Sequence, residues 1–250
     1  MSLHPARYST QITQVVGDYL HKRFPDGMGR PIIHDPFAGT GERLADMCSP
    51  ARDGWGFTYS GTEIEPAFIV APGIIAGSAT DPATYPPARF PDEAATGGWI
   101  VFTSPVYPNG MADSHRPRDD SKRYNYRVAK MKITGNEDAE LHPDNMGGYG
   151  YRGTRRDGNS VRRKRYWEIA KDTVALWDSA MFVIVNVSDF ATRINGAPVI
   201  EPLVDDWANM LYTYGWERQQ LIPVGTPRMR NGENADVRID HEMIIIGERP

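Results

Sequence analysis

Apolar and polar positions alternate along this chain in blocks that switch between the helical and the strand period. Residues 10–24 (TQITQVVGDYLHKRF) place Ile12, Val15, Val16, Tyr19 and Leu20 on one helical face. A short apolar strand, PIIHD, follows at 31–35, and a helix starts near Glu42. TYSGTEI (58–64) predicts a second strand and APGIIAG (71–77) a third short element. PATYPPARFPDEAATGG (82–98) is rich in Pro and Gly and reads as a connector, after which WIVFT (99–103) predicts a fourth strand. VRRKRYWEIAKDTVALWDSA (161–180) has helical spacing, and MFVIVNV (181–187) is a continuous apolar run of the kind buried on both faces of a parallel sheet. A helix around 200–214 precedes two last strands, WERQQLIPV and HEMIIIGER. Strands alternating with helices predict an α/β fold with a doubly wound, mostly parallel sheet. The last two strands have no helix between them and are expected as an antiparallel pair at one edge.

One stretch has no period. Residues 108–160 are polar and rich in Arg, Gly and Asn, too long for an ordinary connection. Between Asp113 and Trp167 stand fourteen basic and eight acidic residues, a local charge of +6 that leaves −10 for the rest of a chain whose net charge is −4. A basic stretch on an otherwise acidic protein is the electrostatic pattern of a local polyanion contact. The 250 residues, 40% of them hydrophobic, suit one domain spanning 1–250, with 108–165 as a basic insertion.

A single cysteine, Cys48, excludes an internal disulfide or a cysteine-cluster metal site. His115 and His142 lack metal-ligand spacing, so no metal is expected. No apolar run approaches a membrane span, and MSLHPARYST lacks the apolar core of a signal peptide, so a cytoplasmic protein without membrane partners is expected.

Chemistry concentrates at two turns. Asp35-Pro36-Phe37-Ala38-Gly39-Thr40-Gly41 lies between a strand and a helix, where glycines let the backbone bend tightly against a ligand. It lacks the Lys of a triphosphate-binding loop, so a nucleoside carrying a carboxylate fits better. Glu63, ending the second strand in GTEIEP, can accept hydrogen bonds from both ribose hydroxyls. The second turn is Thr103-Ser104-Pro105-Val106-Tyr107, where a buried strand breaks into a hydroxyl, a fixed carbonyl and an aromatic ring.

In that order, DPFAGTG, GTEIEP and TSPVY resemble the S-adenosylmethionine-dependent DNA methyltransferases that modify exocyclic amino groups. His4-Pro5-Ala6-Arg7-Tyr8-Ser9 is similar to the motif this family places beside the cofactor. The resemblance runs from about residue 4 to 109 and from Tyr166 to Glu248. It implies a seven-stranded, Rossmann-like methyltransferase sheet with an antiparallel edge strand, S-adenosylmethionine as cofactor, and double-stranded DNA as partner of a monomer or homodimer. Pro5, Tyr8, the residues Asp35, Pro36, Phe37, Ala38, Gly39 and Gly41, then Glu63, Ile64, Ser78 and Ala79 become the expected cofactor contacts. Ser78 stands where relatives often carry an acid, and Asp81 is three residues on. Phe37 suits either the cofactor pocket or the core.

Ser104, Pro105 and Tyr107 become the expected catalytic set. An exocyclic amine is a poor nucleophile because its lone pair is delocalised, so acceptors aimed at its hydrogens must make the nitrogen more pyramidal. The Ser104 side chain and the Pro105 carbonyl are the candidates, and the Tyr107 ring can stack on a base swung out of the duplex. The family's usual turn has a second Pro where this chain has Val106. Ser at the first position resembles the cytosine N4 branch, Asp being commoner in adenine N6 enzymes. Adenine N6, RNA in place of DNA, and a non-catalytic cofactor- and DNA-binding module are the alternatives. Cytosine C5 chemistry is disfavoured because it needs a thiolate, and Cys48 lies far from the turn. Arg116, Arg118, Lys122, Arg123, Arg155, Arg156, Arg162 and Arg163 of the insertion, with Arg228 and Arg230, are the expected DNA contacts.

Overall fold

The computed structural model describes residues 8–25, 29–49, 54–105, 161–194, 197–225 and 241–250. Helix α1 (Thr10–Arg23) is capped by Ser9, whose Oγ accepts from the Ile12 N–H at 3.2 Å, and it carries His21, Lys22 and Arg23 in its last turn, where cations suit the helix dipole. Strand β1 (Ile32–Asp35) leads through the glycine turn into α2 (Glu42–Cys48). Strands β2 (Thr58–Glu63) and β3 (Ile74–Ala76) follow.

The connector at 82–98 is more ordered than its composition predicts. It holds a 3₁₀ turn at Pro82–Thr84, helix α3 (Pro86–Arg89) and helix α4 (Pro91–Gly97). Each begins on a proline, whose fixed φ and missing N–H are tolerated at the first helical position. The prolines therefore start three short turns rather than break one.

Strand β4 (Trp99–Thr103) is followed, after the segment outside the described residues, by α5 (Val161–Ala175) and β5 (Val183–Val187). A hairpin of β6 (Phe190–Ile194) and β7 (Ala197–Glu201) comes next, then α6 (Leu203–Thr213), β8 (Arg218–Gly225) and β9 (His241–Glu248). The hairpin is absent from the sequence-based expectation. Its strands pair from Phe190 opposite Glu201 to Ile194 opposite Ala197, so only Asn195-Gly196 lies between them. Asn-Gly between two strand-like runs is a strong hairpin signal.

The main sheet has seven strands in the order β3-β2-β1-β4-β5-β9-β8. Strands β1 to β5 are mutually parallel, and β9 runs antiparallel to both β5 and β8. This is the doubly wound, mostly parallel sheet with an antiparallel edge pair that the sequence predicts. The order reverses at β1–β4, and in such sheets the crevice at the carboxyl ends of the strands beside the reversal is where ligands bind.

Two apolar layers sandwich the sheet. One joins Ile33, Phe102, Ile184, Ile244 and Ile246 to Ile12, Val16 and Leu20 of α1 and to Leu44 and Cys48 of α2. The other joins Ile32, Trp99, Val101, Val183 and Val185 to Tyr166, Ile169 and Val174 of α5 and to Trp207 and Leu211 of α6. Among the described residues no helix is long and apolar enough to cross a membrane.

Candidate active site

Successive residues of a strand face opposite sides of the sheet, so a side chain two places beyond a core residue shares its face. Asp35 lies two beyond Ile33, Ser104 two beyond Phe102, and Asn186 two beyond Ile184; Glu242 lies two before Ile244 on the antiparallel strand. Glu63 bears the same relation, through Gly61, to Tyr59, which packs against that layer. The period thus sets one polar row along the carboxyl edge, above the layer that α1 and α2 cover. Three of its members are carboxylates.

Asp35 is the hub of the row. It is 2% exposed, and its oxygens accept from the Thr103 hydroxyl at 2.6 Å, the Phe37 N–H at 3.0 Å and the Tyr8 hydroxyl at 3.0 Å. Burial pushes its carboxyl up to about 6, against the pull of these three donors. The Tyr8 hydroxyl also meets the Ser104 backbone, and its ring packs on Phe102 with centroids 4.6 Å apart. One carboxylate therefore ties the entrance of α1, the glycine turn and the end of β4 together. Ser104 is half-buried and Pro105 buried directly beyond that tie.

Glu63 performs a matching task at β2. Its Oε2 accepts from the Gly39 N–H at 2.9 Å and its Oε1 from the Glu65 N–H at 2.8 Å. Burial pushes its carboxyl up to about 7, opposed by those two N–H groups, while the nearby Glu65 and Asp35 charges raise it further. The turn itself needs glycine twice: Gly39 has φ 56° and Gly41 φ 61°. A Cβ on Gly41 would also collide with Ile74 Cδ1 and lie 2.8 Å from the Tyr59 hydroxyl. That hydroxyl is buried under the turn with no hydrogen-bond partner among the described residues. The backbone here lies as close to its surroundings as the fold allows.

The loop after β3 is built on local hydrogen bonds. Ser78 Oγ lies 2.8 Å from Thr80 Oγ1 and accepts from the Thr80 N–H at 3.2 Å. Asp81 is exposed and its Oδ1 caps the next turn through the Ala83 N–H at 2.9 Å. The Ala79 carbonyl accepts from the Tyr85 hydroxyl at 2.6 Å. Ser78 is thus half-buried beside the crevice, and Asp81 is committed to capping.

No protein-family model matches the sequence, and no curated protein matches it. Solved structures with a similar fold include the following three. Precorrin-6y C5,15-methyltransferase from Geobacter metallireducens GS-15 has 10% identity and a TM-score of 0.43 over 98% of this chain and 94% of that one. The CMeT domain of the citrinin polyketide synthase has 12% identity and a TM-score of 0.42 over 95% of this chain and 52% of that one. An rRNA methylase from Streptococcus thermophilus has 8% identity and a TM-score of 0.40 over 98% of this chain and all of that one.

Of the expected site residues, Tyr8, Asp35, Pro36, Ala38, Gly39, Gly41, Glu63, Ile64, Ser78, Ala79, Ser104 and Pro105 gather at the carboxyl edge of β1 to β4. Phe37 is half-buried and packs against the layer on the opposite face, under α5 and α6. Pro5, Val106, Tyr107, Arg116, Arg118, Lys122, Arg123, Arg155, Arg156, Arg228 and Arg230 lie outside the described residues, as do the side chains of Arg162 and Arg163 in the first turn of α5. Cys48 is buried in the α2 layer, and burial pushes its thiol up, away from the thiolate that C5 chemistry needs. Thr103, Tyr59, Asn186 and Glu242 lie in or against this row and were not expected from the sequence. Period-2 continuation of the core residues is the signal that finds Asn186 and Glu242.

Proposed function

We propose that the chain is an S-adenosylmethionine-dependent DNA methyltransferase acting on the exocyclic N4 amine of cytosine. The observation that carries this reading is the Asp35 tie, which sets the Ser104-Pro105 turn directly beside the glycine turn. A methyl donor held at one turn then lies next to a nucleophile held at the other.

The residues at the first turn fit the cofactor. Gly39 and Gly41 supply the positive φ values that the tight turn needs, and Glu63 keeps acceptor capacity for ribose hydroxyls while holding the turn. The carboxylates of Glu63 and Asp35 suit a ligand that bears a positive sulfonium. Ser78 and Ala79 lie where the base of the nucleoside would end.

When bound, S-adenosylmethionine would supply an electrophilic methyl group; the amine nitrogen would take it with its lone pair, the carbon–sulfur electron pair staying on sulfur, and the proton lost from nitrogen would pass to solvent. Ser104 Oγ and the Pro105 carbonyl accept from the amine hydrogens and draw the lone pair out of conjugation. Pro105 fixes the backbone that aims its own carbonyl. Catalysis is then mostly positioning and polarisation. Serine in place of aspartate favours cytosine over adenine. Duplex DNA is the partner, with the basic stretch 108–165 and Arg228 and Arg230 contacting phosphates.

The test is to incubate the protein with mixed-sequence duplex DNA and S-adenosylmethionine, digest to nucleosides, and identify methylated bases by mass spectrometry. N4-methylcytosine is expected. N6-methyladenine would keep the mechanism and change the base. Methylated RNA alone would change the partner, and no methylated base on either would favour a binding module.

A further inference from the structure

Asn186 on β5 is the least explained polar group of the row. It is 2% exposed, its Nδ2 donates to Glu242 Oε2 at 2.7 Å, and its Oδ1 has no hydrogen-bond partner among the described residues. A carboxylate accepts, so the amide nitrogen must turn toward Glu242 and Oδ1 must turn away from it. A buried acceptor left unpaired carries a full desolvation cost that a folded chain tolerates for a reason.

Its place supplies the reason. Val185 lies opposite Thr103 in the parallel β4–β5 ladder, so Ser104 and Asn186 are the next residues on neighbouring strands. Such strands run about 4.8 Å apart. Both side chains continue the face of Phe102 and Ile184. The unpaired oxygen therefore stands beside the turn to which the target amine is assigned, on the side away from the cofactor turn at β1 and β2.

We propose that Asn186, held in orientation by Glu242, is a substrate-contacting residue whose Oδ1 accepts a hydrogen from the exocyclic amine of the target base. This rests on the base-methylation reading above and extends its pocket from β4 onto β5 and β9. An amine has two hydrogens: the Pro105 carbonyl accepts one, and Asn186 Oδ1 shares the other with Ser104 Oγ, so the nitrogen is held from both sides and its lone pair is fixed in direction. The Glu242 pairing keeps the amide from flipping, so the base meets an oxygen and never the NH2 group.

The test uses the full-length protein and three readouts: single-turnover methyl transfer to mixed-sequence duplex DNA, cofactor affinity by calorimetry, and melting temperature. Asn186→Ala is expected to slow transfer about 100-fold while cofactor affinity stays within about twofold. A double variant, Asn186→Gln with Glu242→Asp, keeps an amide-to-carboxylate bond between β5 and β9 but shifts the amide by one methylene. It is expected to melt and bind cofactor like the parent yet transfer at least about tenfold more slowly, because an ångström of misplacement is costly in a reacting pocket. A merely structural pair would be rescued by that exchange. Parental transfer rates in either variant would overturn the proposal. No methylated base with the parent protein would overturn the base-methylation reading itself, and this proposal with it.

Discussion

On one face of the sheet, His34, Ser60 and Arg89 form one hydrogen-bonded group beside the Tyr85 ring; on the other, Asp35, Ser104, Asn186 and Glu242 stand along the carboxyl edge. Each set has a fully buried member with a nitrogen or oxygen unpaired among the described residues. His34 Nδ1 lies 3.0 Å from Ser60 Oγ, and Arg89 reaches Ser60 Oγ at 2.8 Å, the Gly61 carbonyl at 3.3 Å and the Gly73 carbonyl at 3.1 Å. His34 Nε2 has no hydrogen-bond partner among the described residues, but the ring packs against Tyr85 and Trp99, at 4.7 Å and 6.1 Å between centroids. Burial, and secondly the Arg89 charge, hold the imidazole down at about 3, so it is neutral at any physiological pH. A displaced pKa and an orphan atom therefore do not distinguish a site from a core. What distinguishes them is place: His34 sits within β1 against Tyr85 and Trp99, whereas the other set lies along the carboxyl edge of the parallel strands.

Substitutions should separate the two faces sharply. Ser104→Ala is expected to have the largest effect, cutting methyl transfer by about 100-fold or more while leaving cofactor affinity within about twofold. Single-turnover kinetics and calorimetry on the same preparation check both halves, and a variant as fast as the parent would remove Ser104 from the chemistry. Gly41→Ala comes next. The alanine must adopt φ 61° and push Ile74 and Tyr59 aside, which together should cost about 3 kcal/mol of stability and abolish measurable cofactor binding. Arg89→Met lies on the opposite face. It removes three donated hydrogen bonds and should cost about 2 kcal/mol in urea unfolding, yet leave cofactor affinity and transfer rate unchanged. Altered kinetics in that variant would mean the two faces are coupled.

The same contrast shows what the sequence makes legible. The strands, the glycine turn, Glu63 and the Ser104 turn are readable because each rests on local pattern: apolar runs, a glycine pair after a strand, a proline after a strand. The Asp35 tie is not readable, since Tyr8, Asp35 and Thr103 are far apart in the chain and only strand order brings them together. Asn186 and Glu242 are hidden for the same reason, although each continues the period of a core isoleucine. The prolines obscure the helices at 86–97, and the five-residue length of β6 and β7 obscures the hairpin around Asn195-Gly196. Pairing at a distance is a property of topology, and topology is what the local pattern leaves out.

The smallest effect tests the row by pH. In the unliganded protein Glu63 titrates near 7 rather than at its ordinary 4.5, because burial disfavours the charged form. A carboxyl raised in the folded state contributes stability below its unfolded value, and that contribution is lost as pH climbs from 4.5 to about 7. Cofactor binding should run the other way. In the proposed role the ionised carboxylate would accept ribose hydrogen bonds and favour a positive sulfonium, so affinity should rise about tenfold between pH 6 and pH 8 and level off above. Asp35, raised to about 6, moves stability in the same direction as Glu63 and could mask it. Glu63→Gln separates them: it should flatten the affinity profile near pH 7 and leave the lower titration of Asp35 in the stability curve. Calorimetry across that range decides the matter, and an unchanged affinity profile in Glu63→Gln would place the ribose contact elsewhere on the row.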